Sequence, residues 1–515
     1  MPGLSRRELL KLAASAGTSG FGARTGAPLL RLQTIDRDPF SLGIASGEPW
    51  ADSVVLWTRL APEPLQGGGL PPTRVNVGWE IAADDGFRTI VRSGTAVARP
   101  ELAHAVHVEV DGLQPARDYF YRFHVPAASS PVGRTRTAPA PGAPVERLRF
   151  AVCGCSHYEA GYFTAFRHLA AENFDFVFHT GDYIYEGRSG GSKGPRRHEG
   201  HEIYTLVDYR NRYAQYRTDP DLAAAHASAP FVVSWDDHEV DNDYAADISE
   251  DGTPPDLFLL RRAAAYQAYF EHMPLRRASL PAGPSLRLYR RLQFGSLLDM
   301  SVLDTRQYRA DQVCGGVWAD ACPEAADPSR PFLGDEQERW LFSNLERSRA
   351  AWTVIGQQVP LHPRDRRAVV PGARLAVDKW DGYSASRDRL LARLRDARTP
   401  NPVILSGDVH QHYASDLKID FADPRSPIVG VELTNSSISS GGDGTDVSAD
   451  WEQVRGQNPH IKYHSNRRGY VACTATPMLM RADFRTVEAV TVPGAPLTTG
   501  ATMVMEAGKG GITPA

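Results

Sequence analysis

Between Phe40 and Ala138 apolar positions come in short alternating runs, at 53–59, 74–80, 105–110 and 118–123, each closed by Gly, Pro or Asp. A period of two puts one face of each run in a core and the other in solvent, so this stretch predicts several short strands and an all-β sandwich. Within it, Val110-Asp-Gly-Leu-Gln-Pro115 followed by Tyr119 and Tyr121 looks like the corner of a fibronectin-type module. Residues 137–145, rich in Pro, Ala and Gly, predict a linker. Beyond it the period changes. An apolar run at 148–153, a helical stretch from Gly161 to Glu172 with Phe163, Phe166, Leu169 and Ala170 on one face, and a second apolar run at 174–179 predict a β-α-β unit. Further strands are expected at 231–235, 297–303, 352–356, 402–406 and 428–433, and helices at 257–272, 335–348 and 385–397. The pattern is that of an α/β domain with a mixed or double sheet.

A chain of 515 residues is too long for one ordinary core. The expected division is a leader at 1–35, an N-terminal β-sandwich at 38–140, an α/β domain at 146–495 and a tail at 496–515. No apolar run reaches membrane-spanning length. The net charge of -4 lacks the basic excess of a nucleic-acid binder, so an anionic partner must be held locally, by metals or a few arginines. A monomer is the default expectation. Ser5-Arg6-Arg7-Glu8-Leu9-Leu10-Lys11, followed by a small, weakly apolar stretch to Ala23, resembles a twin-arginine export signal. It implies the twin-arginine export machinery as a partner and a periplasmic or secreted destination. Because that route carries folded proteins, a metal could be loaded before export. Five cysteines fit neither a disulfide framework nor a zinc-finger spacing. Cys314 and Cys322 flank a loop-like stretch and could close a short disulfide in an oxidising compartment, which leaves at least one thiol free, buried or bound.

Four clusters follow apolar strands, where α/β folds place reactive groups. They are Cys153-Gly-Cys-Ser-His157, Gly181-Asp-Tyr-Ile-Tyr185, Trp235-Asp-Asp-His-Glu239 and Ser406-Gly-Asp-Val-His410. Each alone has a plain explanation: Asp182 as a helix N-cap, His410 as a core histidine, Asp236 and Asp237 as a solvated turn. Together they are harder to dismiss. Carboxylates and neutral imidazoles converging at strand ends repel or stay unsatisfied unless cations bind between them, which points to two or more metal ions.

These motifs resemble a known superfamily. Gly181-Asp182-x-x-Tyr185 is similar to the Gly-Asp-x-x-Tyr motif of purple acid phosphatases, and Asp237-His238-Glu239 resembles the Asn-His-Glu of calcineurin-like metallophosphoesterases with Asp for Asn. Gly407-Asp408-Val409-His410 resembles their paired-histidine motif with Asp for the first His. With Cys155, Ala45-Ser-Gly-Glu-Pro49, Leu56-Trp-Thr-Arg59, Asp304-Thr-Arg-Gln-Tyr-Arg309 and Asn466-Arg-Arg-Gly-Tyr470, the chain from about Pro39 to Thr491 resembles the PhoD-like alkaline phosphatases. The resemblance implies a metallophosphoesterase double β-sheet sandwich flanked by helices, and a ferric ion with one or two calcium ions. Tyr185 phenolate, Cys155 thiolate, His410 imidazole and Asp182 carboxylate form an anionic set suited to Fe³⁺, while Ca²⁺ needs oxygen ligands. Asp182 is the expected bridge, Asp237 and Asp408 the expected calcium ligands, with Asn242 or Asp243 as a further one. Cys153 is the rival to Cys155, which is preferred because Ser156 follows it at the strand terminus as the family's cysteine is followed by a polar residue.

The implied chemistry is in-line hydrolysis of a small-molecule phosphoester by a metal-bound hydroxide. His238 is the candidate for contacting phosphate or protonating the leaving alkoxide, and Arg210 or Arg306 for clamping a non-bridging oxygen. Most arginines on such a surface are solvated or paired. Monoesters are the first expectation; diesters or phospholipid headgroups on the same metals are the second, and an exported binding protein with structural metals is the alternative outside enzymes. The segment from Asp450, with Trp451, Tyr463, His464 and Asn466-Arg467-Arg468, is a candidate lid.

Overall fold

The apolar runs predicted as parallel strands have buried residues on both faces, so each sheet must be covered twice. The computed structural model describes residues 37–126, 128–315 and 317–515; the export-type signal at 1–35 lies outside the described residues. Two sheets stack face to face. The first has ten strands in the order Thr513–Pro514, Leu497–Glu506, Leu479–Val487, Gly469–Ala475, Leu148–Cys153, Phe176–His179, Phe231–Val233, Ile44–Gly47, Val54–Arg59 and Ala105–Val110. The second has seven, Arg290–Phe294, Leu298–Val302, Trp352–Gly356, Pro402–Ser406, Ile428–Thr434, His412–Lys418 and Ile461–Ser465. Between them Phe150, Val152, Phe176 and Phe178 of the first sheet meet Met300, Val354, Val403 and Leu433 of the second.

Helices close the outer faces. Leu206–Arg217, Pro220–Ser228 and Pro255–His272 pack on the first sheet through Tyr213, Leu222 and Tyr269, and Asp335–Arg347 and Ser384–Asp396 pack on the second through Leu341 and Leu391. The resulting helix-sheet-sheet-helix stack aligns the carboxyl ends of Leu148–Cys153, Phe176–His179 and Phe231–Val233, which run parallel, with that of Pro402–Ser406.

The N-terminal sandwich is built as expected at its corner: Tyr119 Oη accepts the Gln114 backbone N–H at 2.8 Å. It is not, however, a separate body. Ile44–Gly47 pairs with Phe231–Val233, so three strands of the sandwich continue the first large sheet, and the second layer is the small sheet led by Val75–Ala82 and Asp118–Val125. His107 Nε2 lies 2.9 Å from Phe270 O and 3.0 Å from Met273 O, and its ring stacks on Phe270.

The stretch at 496–515, expected as a tail, supplies two strands of the ten-stranded sheet. Its Thr- and Gly-rich sequence hides the alternation, since in Leu497–Glu506 only Met503 and Met505 are buried. Helix Leu206–Arg217 was likewise hidden, because it buries Arg212, Gln215 and Arg217 along with its tyrosines and so lacks an apolar stripe. Cys314 and Cys322 form a disulfide, while Cys153, Cys155 and Cys473 are free and buried.

Candidate active site

The strand ends carry their functional residues on tight turns held in unusual backbone conformations. Cys155, Asp182, Asp243, Asp408 and His410 have φ of 56°, 54°, 50°, 68° and 53°. Left-handed backbone costs a non-glycine residue about 1 kcal/mol or more, and such strain concentrates at functional sites. Gly181, at φ 123°, is required: a Cβ there would lie 2.5 Å from the Asp236 backbone nitrogen.

Glu239 ties the turns together. Its fully buried carboxylate accepts backbone N–H groups from Asp182 at 3.1 Å, Tyr183 at 2.6 Å and Asp236 at 2.8 Å. Cys155 N donates to Gly181 O at 3.0 Å and Ser156 N to Asp182 O at 2.8 Å, so the first and second turns are also laced.

These turns bring together most of the residues expected from sequence. Tyr185 Oη donates to Asp182 Oδ2 at 2.9 Å and lies 3.1 Å from His410 Nε2. Cys155, Asp182 and His410 have ligand atoms within 4.8 Å of one another, as do Asp182, Asp237 and His238, then Asp236, Asp237 and Asp408, and finally Asp237, Asp243 and Asp378. Asp182 belongs to two of these groups and Asp237 to three. The rival Cys153 packs in the helix-side core.

The electrostatics call for cations. Asp182 Oδ1, Asp236 Oδ2 and Asp237 Oδ1 are buried without a hydrogen-bond partner, which is costly for a carboxylate. Burial, reinforced by Asp182, Asp408 and Asp236, pushes the Cys155 thiol well above its ordinary value. Burial does the same to Asp182 and Tyr185. It also pushes Asp243 up to about 8, with help from Asp378 and Asp237. His410 is lowered to about 3 by burial and by Arg468, so it is a neutral imidazole, the form that binds metals. Burial opposes charge on His238, but Glu186, Asp182 and Asp237 outweigh it and push the imidazole well above its ordinary value. An anionic donor set with orphaned oxygens, a neutral histidine and a thiol fits metal ions.

Arg210 and Arg306 do not take their expected places. Arg210 is remote from the cavity: it forks onto Glu271 at 2.5 and 2.6 Å and donates to Glu101 O at 3.1 Å, bracing the sandwich against helix Pro255–His272. Asn242 lines the cavity, where its amide nitrogen donates to Glu250 at 2.7 Å and its Oδ1 is not engaged by that bond, and beside it Asp243 groups with Asp237 and Asp378. Arg306 is at the site but fully buried, bonded to Asp236 at 2.5 Å and to both oxygens of Asp378 at 3.0 and 2.9 Å. Each of its three nitrogens faces an acid and it does not line the cavity, so it orients acids and is not placed to reach a substrate oxygen.

Several residues went unread. Asp378 and Lys379 sit in a turn just after the two-residue strand Leu375–Ala376, which is too short to show a period; the buried flanks Val377 and Trp380 around a charged pair were the available signal. Lys379 Nζ contacts Asp408 at 2.5 Å and Asp378 at 3.0 Å. Ser440 Oγ is 2.7 Å from Tyr185 Oη. The cavity, of about 360 Å³, runs from these acids past Lys379 to a rim at Trp318, Arg364 and Arg366. No residue from Asp450 onward lines it, so the candidate lid is a buttress: Trp451 and His464 pack behind Tyr413, and Arg468 donates to His410 O at 2.7 Å.

Comparison with known proteins identifies the fold and the family. Residues 150–484 match the PhoD-like phosphatase family and residues 27–139 the N-terminal domain of PhoD-like phosphatases. The chain is 50% identical over 481 residues to alkaline phosphatase D of Bacillus subtilis, spanning 92% of this chain and 82% of that protein. A solved structure described as that of PhoD superposes with a TM-score of 0.92 at 49% identity, over 94% of this chain and 93% of the other. Fold and site define a phosphoester hydrolase. The chain belongs to the PhoD-like phosphatase family.

Proposed function

We propose that this phosphoester hydrolase works with a ferric ion held by Cys155, Asp182, Tyr185 and His410 and with calcium held by Asp237, Asp408, Asp243 and Asp378, Asp182 being shared. The observation that carries the reading is the meeting of Tyr185 Oη with Asp182 at 2.9 Å and His410 at 3.1 Å, beside a buried thiol. Phenolate, thiolate and carboxylate together suit a hard trivalent ion, and the all-oxygen group suits calcium. When bound, such ions polarise phosphoryl oxygens and lower the pKa of a coordinated water.

The chain's own groups supply the rest. His238 is anchored at Nδ1 by Glu186 at 2.7 Å, which leaves Nε2–H to hold a phosphoryl oxygen or to protonate the departing alkoxide. Arg306 and Glu239 position the acids and turns without touching substrate. Phosphate monoesters are the first substrates, with diesters the second reading on the same cavity. Turnover of p-nitrophenyl phosphate and of its bis ester tests this. Inorganic phosphate from the first is expected; p-nitrophenyl phosphate accumulating from the second, with the monoester untouched, would select diesterase action. Export by the twin-arginine route to the periplasm or beyond is proposed on Arg6-Arg7, and the paired Lys substitution should retain the protein in the cytoplasm.

A further inference from the structure

The mouth of the cavity carries charge that the metal-binding floor does not use. Arg364 and Arg366 both line it, and both pair with one carboxylate, Asp450, at 3.3 and 3.0 Å. Two guanidinium groups against one acid leave an unneutralised positive charge at the rim. The nearby acids are otherwise engaged: Asp381 is bonded to Arg387, and Asp365 to Arg367 at 2.7 Å.

The guanidinium planes are fixed by aromatic faces. Arg364 lies 5.6 Å from the ring centre of Tyr413 and Arg366 5.2 Å from that of Trp318. Trp318 is itself held, inside the loop closed by the Cys314–Cys322 disulfide and in a short ladder with Ala376. Arg364 is held deep in the rim, its side chain only 13% exposed and its Nε buried with no hydrogen-bond partner. Two forks offer more donors than a single carboxylate uses, and the three terminal oxygens of a phosphate can accept from both.

We propose that Arg364 and Arg366 form a second anion subsite, so that the enzyme prefers phosphoesters whose departing alcohol carries a further phosphate group. The inference rests on the phosphatase reading of the floor and adds the chemistry of the leaving group. During turnover the scissile phosphate sits over the acidic floor while the distal phosphate is held at the rim; the oxygen of a water adds to phosphorus as the P–O bond to the alcohol breaks, the alkoxide takes a proton from His238 Nε2, a proton of the water replaces it, and inorganic phosphate and the phosphorylated alcohol leave through the mouth. Asp450 tempers the subsite by sharing the two guanidiniums.

The test compares phosphate release from 1,3-propanediol bisphosphate and from propyl phosphate by the metal-loaded full chain. The wild type should favour the bisphosphate in kcat/KM by about tenfold after correction for its two equivalent ends, the worth of one added charge-assisted hydrogen bond. Arg364→Gln and Arg366→Gln should bring that ratio close to one, chiefly through the KM of the bisphosphate, and Asp450→Asn should raise it. Should a Gln variant fail to fold, Arg366→Lys keeps the charge but loses the fork and should lower the ratio part-way. Equal kcat/KM for the two substrates in the wild type, or a preference that survives both Arg→Gln changes, would overturn the subsite. Release from neither substrate would overturn the phosphatase reading and the subsite with it.

Discussion

The phenolic oxygen of Tyr185 stands 3.1 Å from Nε2 of His410 across a separation of 225 residues. Asp182 accepts the same phenol's proton at 2.9 Å, so three donors from two sheets share one point. With no cation the phenol–carboxylate bond and raised pKa values relieve the crowding of acids; with a cation the same groups are ligands. That duality makes the site's acids liabilities for the metal-free fold and requirements for the loaded one.

Asp182→Asn separates the two. Hydrolysis of p-nitrophenyl phosphate should fall at least about 1,000-fold, roughly 4 kcal/mol of barrier. The metal-free variant should melt no lower than the metal-free wild type, since a buried acid crowded by Asp236, Asp237 and Glu239 is removed. Retained activity in a folded variant would strip Asp182 of its bridging role.

Glu239→Gln should act through geometry. The carboxylate accepts three backbone N–H groups, and an amide turns two donors towards them, so at least one N–H is left unsatisfied at a cost of about 1–3 kcal/mol. Metal affinity, measured by competition with a chelator, should weaken about 10–100-fold, the usual effect of losing a group that orients ligands. Unchanged affinity would mean that the turns keep their form without it.

Arg210→Ala should destabilise without touching chemistry. Its partner Glu271 is fully buried, and a buried acid stripped of its cation costs about 3–5 kcal/mol. Chemical denaturation should show that loss, with kcat/KM of the folded fraction within about twofold of wild type. A collapse of kcat/KM in the folded variant would return Arg210 to the substrate.

His107 should make the sandwich contact acid-labile. Burial lowers it from 6.5 to about 4, with Arg277 acting in the same direction and Glu109 against it. Its folded value lies below its unfolded one, so the unfolded chain takes the proton first: the stability is intact above pH 6.5 and is lost as pH falls towards 4, by up to about 3 kcal/mol. In His107→Gln the melting temperature should fall less over that window. Parallel curves for the two proteins would show that other groups govern acid unfolding.

What could be read from sequence, and what could not, divides along physical lines. Cys155, Asp182, Tyr185, Asp237, Asp408 and His410 were legible because each closes an apolar strand, and a charged group in that place needs a reason. Asp378, Lys379, Arg364 and Arg366 reach the same cavity from a long connection between Trp352–Gly356 and Ser384–Asp396, whose only regular pieces, Leu375–Ala376 and Trp380–Tyr383, are too short for a period to mark a position. Strands such as Leu497–Glu506 and Ile90–Ala98 escaped because they have few buried residues, and their place is set by pairing with a neighbour. Arg210 misled because an arginine's role depends on which acid lies opposite, and Glu271 is brought there only by the packing of helix Pro255–His272.

The central claim is that Tyr185 and its neighbours hold an iron ion at the strand ends. Visible absorption of the purified, full-length protein, taken with elemental analysis, tests it most directly. A tyrosinate-to-iron charge-transfer band with iron and calcium present is expected, and the band should vanish in Tyr185→Phe. A colourless, iron-free preparation that hydrolyses phosphoesters at full rate would contradict it.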